Sequence, residues 1–283
     1  MIRDVMVFLE GAPTDEDGIR RGEAIAVQFG AHVTGLFGVV LPDLLVSIPI
    51  EIGVAAVEAF LEVENRLKAE ADQKLADLRA RFGRIAPPGE VRRVEANPGT
   101  IAAAIAREAR WGDLLILVRP HGSSSSNLWQ EVAEKALFES GRAVLVVPSG
   151  PGAHIVPATI LIAWKDTREC TRAIAEAAPL ISQARRVVVA SVDPRLQSHG
   201  KPVTPEADIA KHLHRLGAHG VEVREVASRG RTVDETLISE ARGMSADLIV
   251  MGGYGHSRLW EWVLGGTTRD MLQKCEIPML IAH

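Results

Sequence analysis

The sequence has little cysteine: Cys170 and Cys275 are the two thiols in 283 residues. Two cysteines cannot build a secreted disulfide framework and fit a reducing cytoplasm. An excess of positive charge is also missing, with 32 Lys and Arg against 36 Asp and Glu. A chain of net charge -4 without a long basic run carries no electrostatic footprint for nucleic acid. No uncharged apolar stretch reaches ~18 residues, so no membrane span is expected. The first residues, MIRDVMVFLEG, place Asp4 and Glu10 where a signal peptide needs an unbroken apolar region, and the expected location is cytoplasmic. The nine histidines form no HExxH or i,i+4 pair; His212 and His214 are two apart. No metal framework is therefore recognised. With 47% hydrophobic and 24% charged residues, disorder and fibrous classes are excluded. At roughly 150 residues per domain, the length points to two domains.

What the sequence does have is repetition. Short apolar runs recur at 5–9, 33–40, 114–118 and 144–147, and again at 160–164, 187–192, 248–251 and 279–281. Runs of four to eight such residues without alternation read as strands buried on both faces of a parallel sheet. Helical spacing fills the stretches between them, at 15–29, 56–82, 100–109, 168–182, 205–219 and 233–242. Strands alternating with helices argue for βαβ units and a doubly wound α/β sheet. Arg3–Glu10 aligns with Ala158–Lys165, and Gly112–Ile116 with Ala246–Val250, so the first copy carries about 21 extra residues, around 42–83. Pro148-Ser149-Gly150-Pro151-Gly152 reads as the linker. The expected domains are 1–149 and 154–283.

The second copy carries the informative segment. Met251-Gly252-Gly253-Tyr254-Gly255-His256-Ser257-Arg258 follows a strongly apolar strand, and Gly265-Gly266-Thr267-Thr268-Arg269-Asp270 opens a short helix. Glycines just past a parallel strand let the backbone approach a ligand and turn amides toward an anion. A helix beginning near Thr267 adds unpaired N–H groups and a favourable dipole. His256, Arg258 and Arg269 add positive charge. Thr267 with Asp270 three residues later also fits a capping box, which would need no ligand.

The spacing Gly252-x2-Gly255-x9-Gly265, flanked by ADLIVMG and IPMLIAH, resembles the universal stress protein family. The resemblance covers the chain as two tandem copies. It implies two five-stranded parallel sheets of order 3-2-1-4-5, each flanked by helices, with a last strand that commonly mediates dimer-like pairing. It also implies an ATP site in the second copy drawn from Ala163, Lys165, Asp166, Val192, Met251, Gly252, Gly255, His256, Arg258, Gly265, Gly266, Thr267 and Thr268. Two departures stand out. Gly266 intervenes before the hydroxyls, and Trp164-Lys165-Asp166-Thr167 puts a lysine where the family carries an acid.

The first copy shows the reverse. Glu10 keeps the acid, but Arg119 is expected in place of the first glycine and Val132 in place of the third, with Gly122 matching the second. No family-type nucleotide site is expected there, and the serine run 123–126 reads as a polar connector. Residues 44–56, LLVSIPIEIGVAA, are apolar for a connection and read as an interface or lid. Trp260 and Trp262 suit core packing or stacking on a ligand.

The expectation is a stress-response protein that binds one adenine nucleotide, ATP, as a regulatory ligand in its second domain. Homo-oligomerisation or pseudo-dimer pairing of the halves accompanies it. No Gly-x4-Gly-Lys-Ser/Thr loop and no nucleophile–base pair are found, so slow ATP hydrolysis is the most expected of it. The alternative is a scaffold of the same fold that binds a partner or an apolar ligand, its nucleotide site decayed.

Overall fold

Runs such as Val5–Leu9 and Val187–Val192 offer no polar face, so they are stable only between two layers of other elements. The computed structural model describes residues 1–43, 54–120, 128–150, 156–194, 205–254 and 266–283. The first copy supplies β1 (Asp4–Leu9), α1 (Asp15–Phe29), β2 (His32–Val40), α2 (Val54–Phe82), β3 (Glu90–Ala96), α3 (Ile101–Glu108), β4 (Leu114–Arg119), α4 (Leu128–Glu139) and β5 (Ala143–Pro148). The second supplies β6 (Thr159–Ala163), α5 (Arg168–Ile181), β7 (Arg186–Val192), α6 (Pro205–Arg215), β8 (Val221–Val226), α7 (Val233–Gly243), β9 (Leu248–Gly252), α8 (Gly266–Lys274) and β10 (Met279–Ala282). The strand order 3-2-1-4-5 holds in both copies.

Two strands, β3 and β8, are absent from the apolar runs. Both lie at sheet edges, and their sequences, EVRRVEA and VEVREV, alternate charged with aliphatic residues. A strand with one solvated side loses the continuous apolar signal that marks a central one.

One compact unit runs from Ile2 to Val118 and takes in α4; the other holds Gly141–His283 and Arg119. In the first unit, β1 pairs in parallel with β2 and β4, and Val5, Val7, Leu9, Leu36 and Ile116 are fully buried. In the second, β6 lies between β7 and β9, and β10 follows β9. Strand β5, although encoded in the first copy, belongs to this second unit. It pairs antiparallel with β10, Val144 opposite Ile281 and Val146 opposite Met279.

At the end of β1 the chain turns through Glu10, Gly11 and Ala12. Their N–H groups donate to the Asp15 carboxylate at 3.2, 2.8 and 3.2 Å. Gly11 takes a left-handed φ of 73°, which a side chain would strain. Burial outweighs the three donors and pushes the Asp15 carboxyl from 3.8 up to about 6. The folded state thus binds this proton more tightly than the unfolded chain. Its stabilising contribution is full below about pH 4 and is lost as the pH rises through 6. In Asp15→Asn that titration is gone. We expect the stability difference between the two proteins to move in favour of the wild type, by at most about 1.4 kcal/mol, as the pH falls from about 8 to about 5. Denaturant melts across that range measure it, and a difference constant with pH would show an ordinary carboxyl.

Candidate functional site

In an open α/β sheet the carboxyl ends of the central strands form a crevice. In the second unit those ends are Ala163 of β6, Val192 of β7 and Gly252 of β9. A cavity of about 210 Å³ opens there, walled by the turn after β6, the first turns of α5 and α8, and Val233 and Leu237 of α7. Of the residues expected in a site, it gathers Ala163, Lys165, Val192, Met251, Gly252, Thr267 and Thr268. Asp166 is exposed and does not line it. Gly255, His256, Arg258 and Gly265 lie outside the described residues, as do Trp260, Trp262, the serine run 123–126 and most of the apolar stretch 44–56.

The α5 wall is built from its cap. Thr167 Oγ1 accepts the Cys170 N–H at 3.3 Å, fixing the first turn and bringing Glu169 and Cys170 to the cavity. That turn sits hard against the end of β9. A Cβ on Gly252 would stand 2.6 Å from the Cys170 nitrogen and 2.7 Å from the Glu169 carbonyl carbon. Both are backbone atoms, so neither can rotate away. The first glycine of the motif therefore has a packing requirement of its own, whatever the site holds.

Strand register corrects one expectation. Val5 pairs with Leu114 and Ile160 with Leu248, so the residue of β4 at the position of Gly252 is Val118, one before Arg119. The first copy makes the same helix–strand approach with the glycine on the other partner: a Cβ on Gly18 of α1 would lie 2.9 Å from Val118 Cγ2. Arg119 instead points its guanidinium at the C-terminus of α8. It donates to the carbonyl oxygens of Leu272 and Gln273 at 3.4 and 3.0 Å, a buried cap for groups that the helix leaves unpaired.

The α8 wall differs from a capping box. The helix already includes Gly266, so Thr267 lies within its first turn, and Asp270 faces Lys274 at 3.6 Å. Thr268 is buried and accepts the Tyr254 N–H at 3.3 Å, clipping the helix to the turn after β9. A Cβ on Gly266 would meet nothing within 4 Å, so packing does not demand that glycine.

Glu169 is a lining residue that sequence reasoning missed. Burial works against its charge, but the Arg168 guanidinium, 2.5 Å away, holds the carboxyl below its usual value. Only the N-cap signal of Thr167 fixed where that side chain would fall. Behind the cavity, Asp234 in the first turn of α7 is almost wholly buried and pairs with Lys274 at 3.1 Å. In the first copy the turn after β1, the counterpart of the turn after β6, is covered: a Cβ on Gly11 would meet Lys74 Cδ at 2.7 Å and the Phe37 ring at 3.2 Å. Among the described residues no group of three or more His, Cys, Asp or Glu could hold a metal, and no described helix is long and apolar enough to cross a membrane.

This is a doubly wound α/β protein with a crevice at its strand ends. Residues 158–283 match the profile of the universal stress protein family. A universal stress protein of Synechocystis sp. (strain ATCC 27184 / PCC 6803 / Kazusa) is 38% identical over 47 residues, 17% of this chain. The match spans only 16% of that relative's length. The structure of a universal stress protein from Archaeoglobus fulgidus DSM 4304 superposes over 99% of this chain and 95% of its own, with a TM-score of 0.66 at 14% identity. A structure of the same type from Pseudomonas aeruginosa UCBPP-PA14 covers 99% of this chain and 93% of its own, with a TM-score of 0.57 at 17% identity. Both show the fold along the whole chain.

Gly252, which lines the cavity, and Gly266, which does not, give a direct contrast. Gly252→Ala should cost about 2 kcal/mol or more, because backbone must move. Gly266→Ala should change stability by no more than about 0.5 kcal/mol, since its Cβ points into open space. Chemical denaturation of the two variants reads the difference, and equal effects would contradict the close approach at Gly252.

Proposed function

We propose that the second copy binds an adenine nucleotide, ATP, as the regulatory ligand of a stress-response protein. The observation that carries this reading is the cavity at the ends of β6, β7 and β9, which gathers residues expected from distant parts of the sequence. Its apolar lining, with Ala163, Val192, Met251 and Leu237, suits the face of a base. The first turn of α8 offers unpaired N–H groups and the positive end of a helix dipole for phosphate. The sequence extends the proposal to Gly255, His256, Arg258 and Gly265. At about 210 Å³ the cavity is smaller than the roughly 300–1,000 Å³ usual for a ligand pocket, so it suits the nucleoside end better than a whole nucleotide.

Regulation follows if the nucleotide favours one conformation or assembly over another. No catalytic base is assigned, and any hydrolysis is slow. The repeat boundaries 1–149 and 154–283, and a pseudo-dimer role for the β5–β10 pairing, belong to the same proposal.

The test begins with denaturing the purified protein and identifying any released nucleotide, followed by titration of ATP into nucleotide-free material. We expect saturable binding of one nucleotide per chain. Thr267→Glu, which sets a negative charge in the first turn of α8, should weaken it by about tenfold or more. Absence of binding at millimolar ATP would overturn the reading and favour a scaffold role. Binding indifferent to Thr267→Glu would move the site elsewhere.

A further inference from the structure

Two side chains that line the second-copy cavity carry charge, Lys165 and Glu169. Glu169 is committed: it is buried, and Arg168 Nε donates to its carboxylate. Lys165 is exposed and, among the described residues, has no carboxylate partner. Lys68, Lys135, Lys211 and Lys274 each lie within ion-pair distance of an aspartate or glutamate. Lys74 does not, but its stem packs over Gly11 and the Phe37 ring rather than at a cavity. The neighbouring carboxylate, Asp166, does not line the cavity.

Place gives the unpaired ammonium its meaning. Lys165 stands two residues beyond the end of β6, the central strand of its copy, at the rim of an otherwise largely apolar cleft. Where an α/β sheet holds a nucleoside at its strand ends, a carboxylate near the ribose accepts hydrogen bonds from free hydroxyls, and a cation in that neighbourhood accommodates a ribose phosphate. A carboxylate beside a ribose phosphate would repel it, and a lone ammonium beside a free diol gains little. Glu169 does not reverse this, because Arg168 neutralises it on the spot.

We propose that this site selects a nucleotide bearing a second phosphate on its ribose, at the 2′ or 3′ position, with Lys165 Nζ as the donor to that phosphate. The proposal rests on the adenine-nucleotide reading above and narrows its ligand class. The flexible four-carbon stem of lysine lets one ammonium serve either ribose position, so both isomers are probed.

Full-length nucleotide-free protein is titrated calorimetrically with AMP, ATP, adenosine 2′,5′-bisphosphate and adenosine 3′,5′-bisphosphate. The titrations are repeated on Lys165→Gln and Lys165→Asp, with folding checked by circular dichroism. At least one bisphosphate should bind about tenfold tighter than AMP, and tighter than ATP, as a charge-assisted hydrogen bond warrants. Lys165→Gln should weaken that bisphosphate by about tenfold, a loss larger than any AMP suffers in the same variant, and Lys165→Asp should weaken the bisphosphate further. The better of the two isomers identifies the ribose position. Bisphosphates that bind no tighter than AMP or ATP overturn the proposal and leave the nucleotide reading intact. Equal weakening of every ligand by Lys165→Gln also overturns it, because the lysine would then be a general anion attractor. No binding by any of the four overturns both readings.

Discussion

The second unit depends on how closely the first turn of α5 can approach the end of β9. With the Cys170 nitrogen where a Cβ of residue 252 would fall, the helix start and the strand end nearly share one volume. That contact brings Glu169 and Cys170 into the crevice wall, and Thr268 clips the turn that follows β9. Backbone against backbone has no rotamer through which to relax, so the constraint is absolute in a way side-chain packing is not. The first copy solves the same problem with Gly18 on the helix and Val118 on the strand. In each copy the helix after the first strand comes close to the end of the fourth at a glycine, on the strand in the second copy and on the helix in the first.

Much of this was legible in the residues, for physical reasons that also mark the limits. Continuous aliphatic runs report burial on two faces, so the central strands could be read directly. The edge strands β3 and β8, half-solvated and charged, could not. Ala163, Val192 and Met251 end their strands or stand one residue before the end, and a site at strand ends inherits its floor from strand boundaries. Glu169 and Arg119 escaped because their roles depend on tertiary partners. Nothing in Arg119's neighbours along the chain announces that it caps a helix some 150 residues later. The one-residue error at Val118 has a different origin: the alignment of Gly112–Ile116 with Ala246–Val250, carried two residues further, already sets Val118 opposite Gly252, as the ladder pairing to β1 and β6 does.

The two copies also differ in how they settle the turn after their first strand. In the first, Asp15 gathers three backbone N–H groups and the stem of Lys74 covers Gly11, so the local polar groups satisfy one another. In the second, Thr167 caps the helix and the charge of Lys165 is left facing the cleft. Where the protein completes its own hydrogen bonds, a ligand has little to add. Where one charge has no partner among the described residues and stands beside an apolar floor, recognition has something to work on.

The antiparallel contact of β5 with β10 bears on where this molecule can be divided. Sequence similarity cuts the chain after residue 149, yet β5, which ends at Pro148, is a structural part of the second unit. A fragment begun at the repeat boundary would leave one side of β10 with its backbone donors and acceptors unmatched, an open edge of the kind that invites aggregation. The ribosome meets no such difficulty, since β5 emerges before the strand it will cover. Gene duplication supplied two copies, and folding has made the second depend on the last strand of the first.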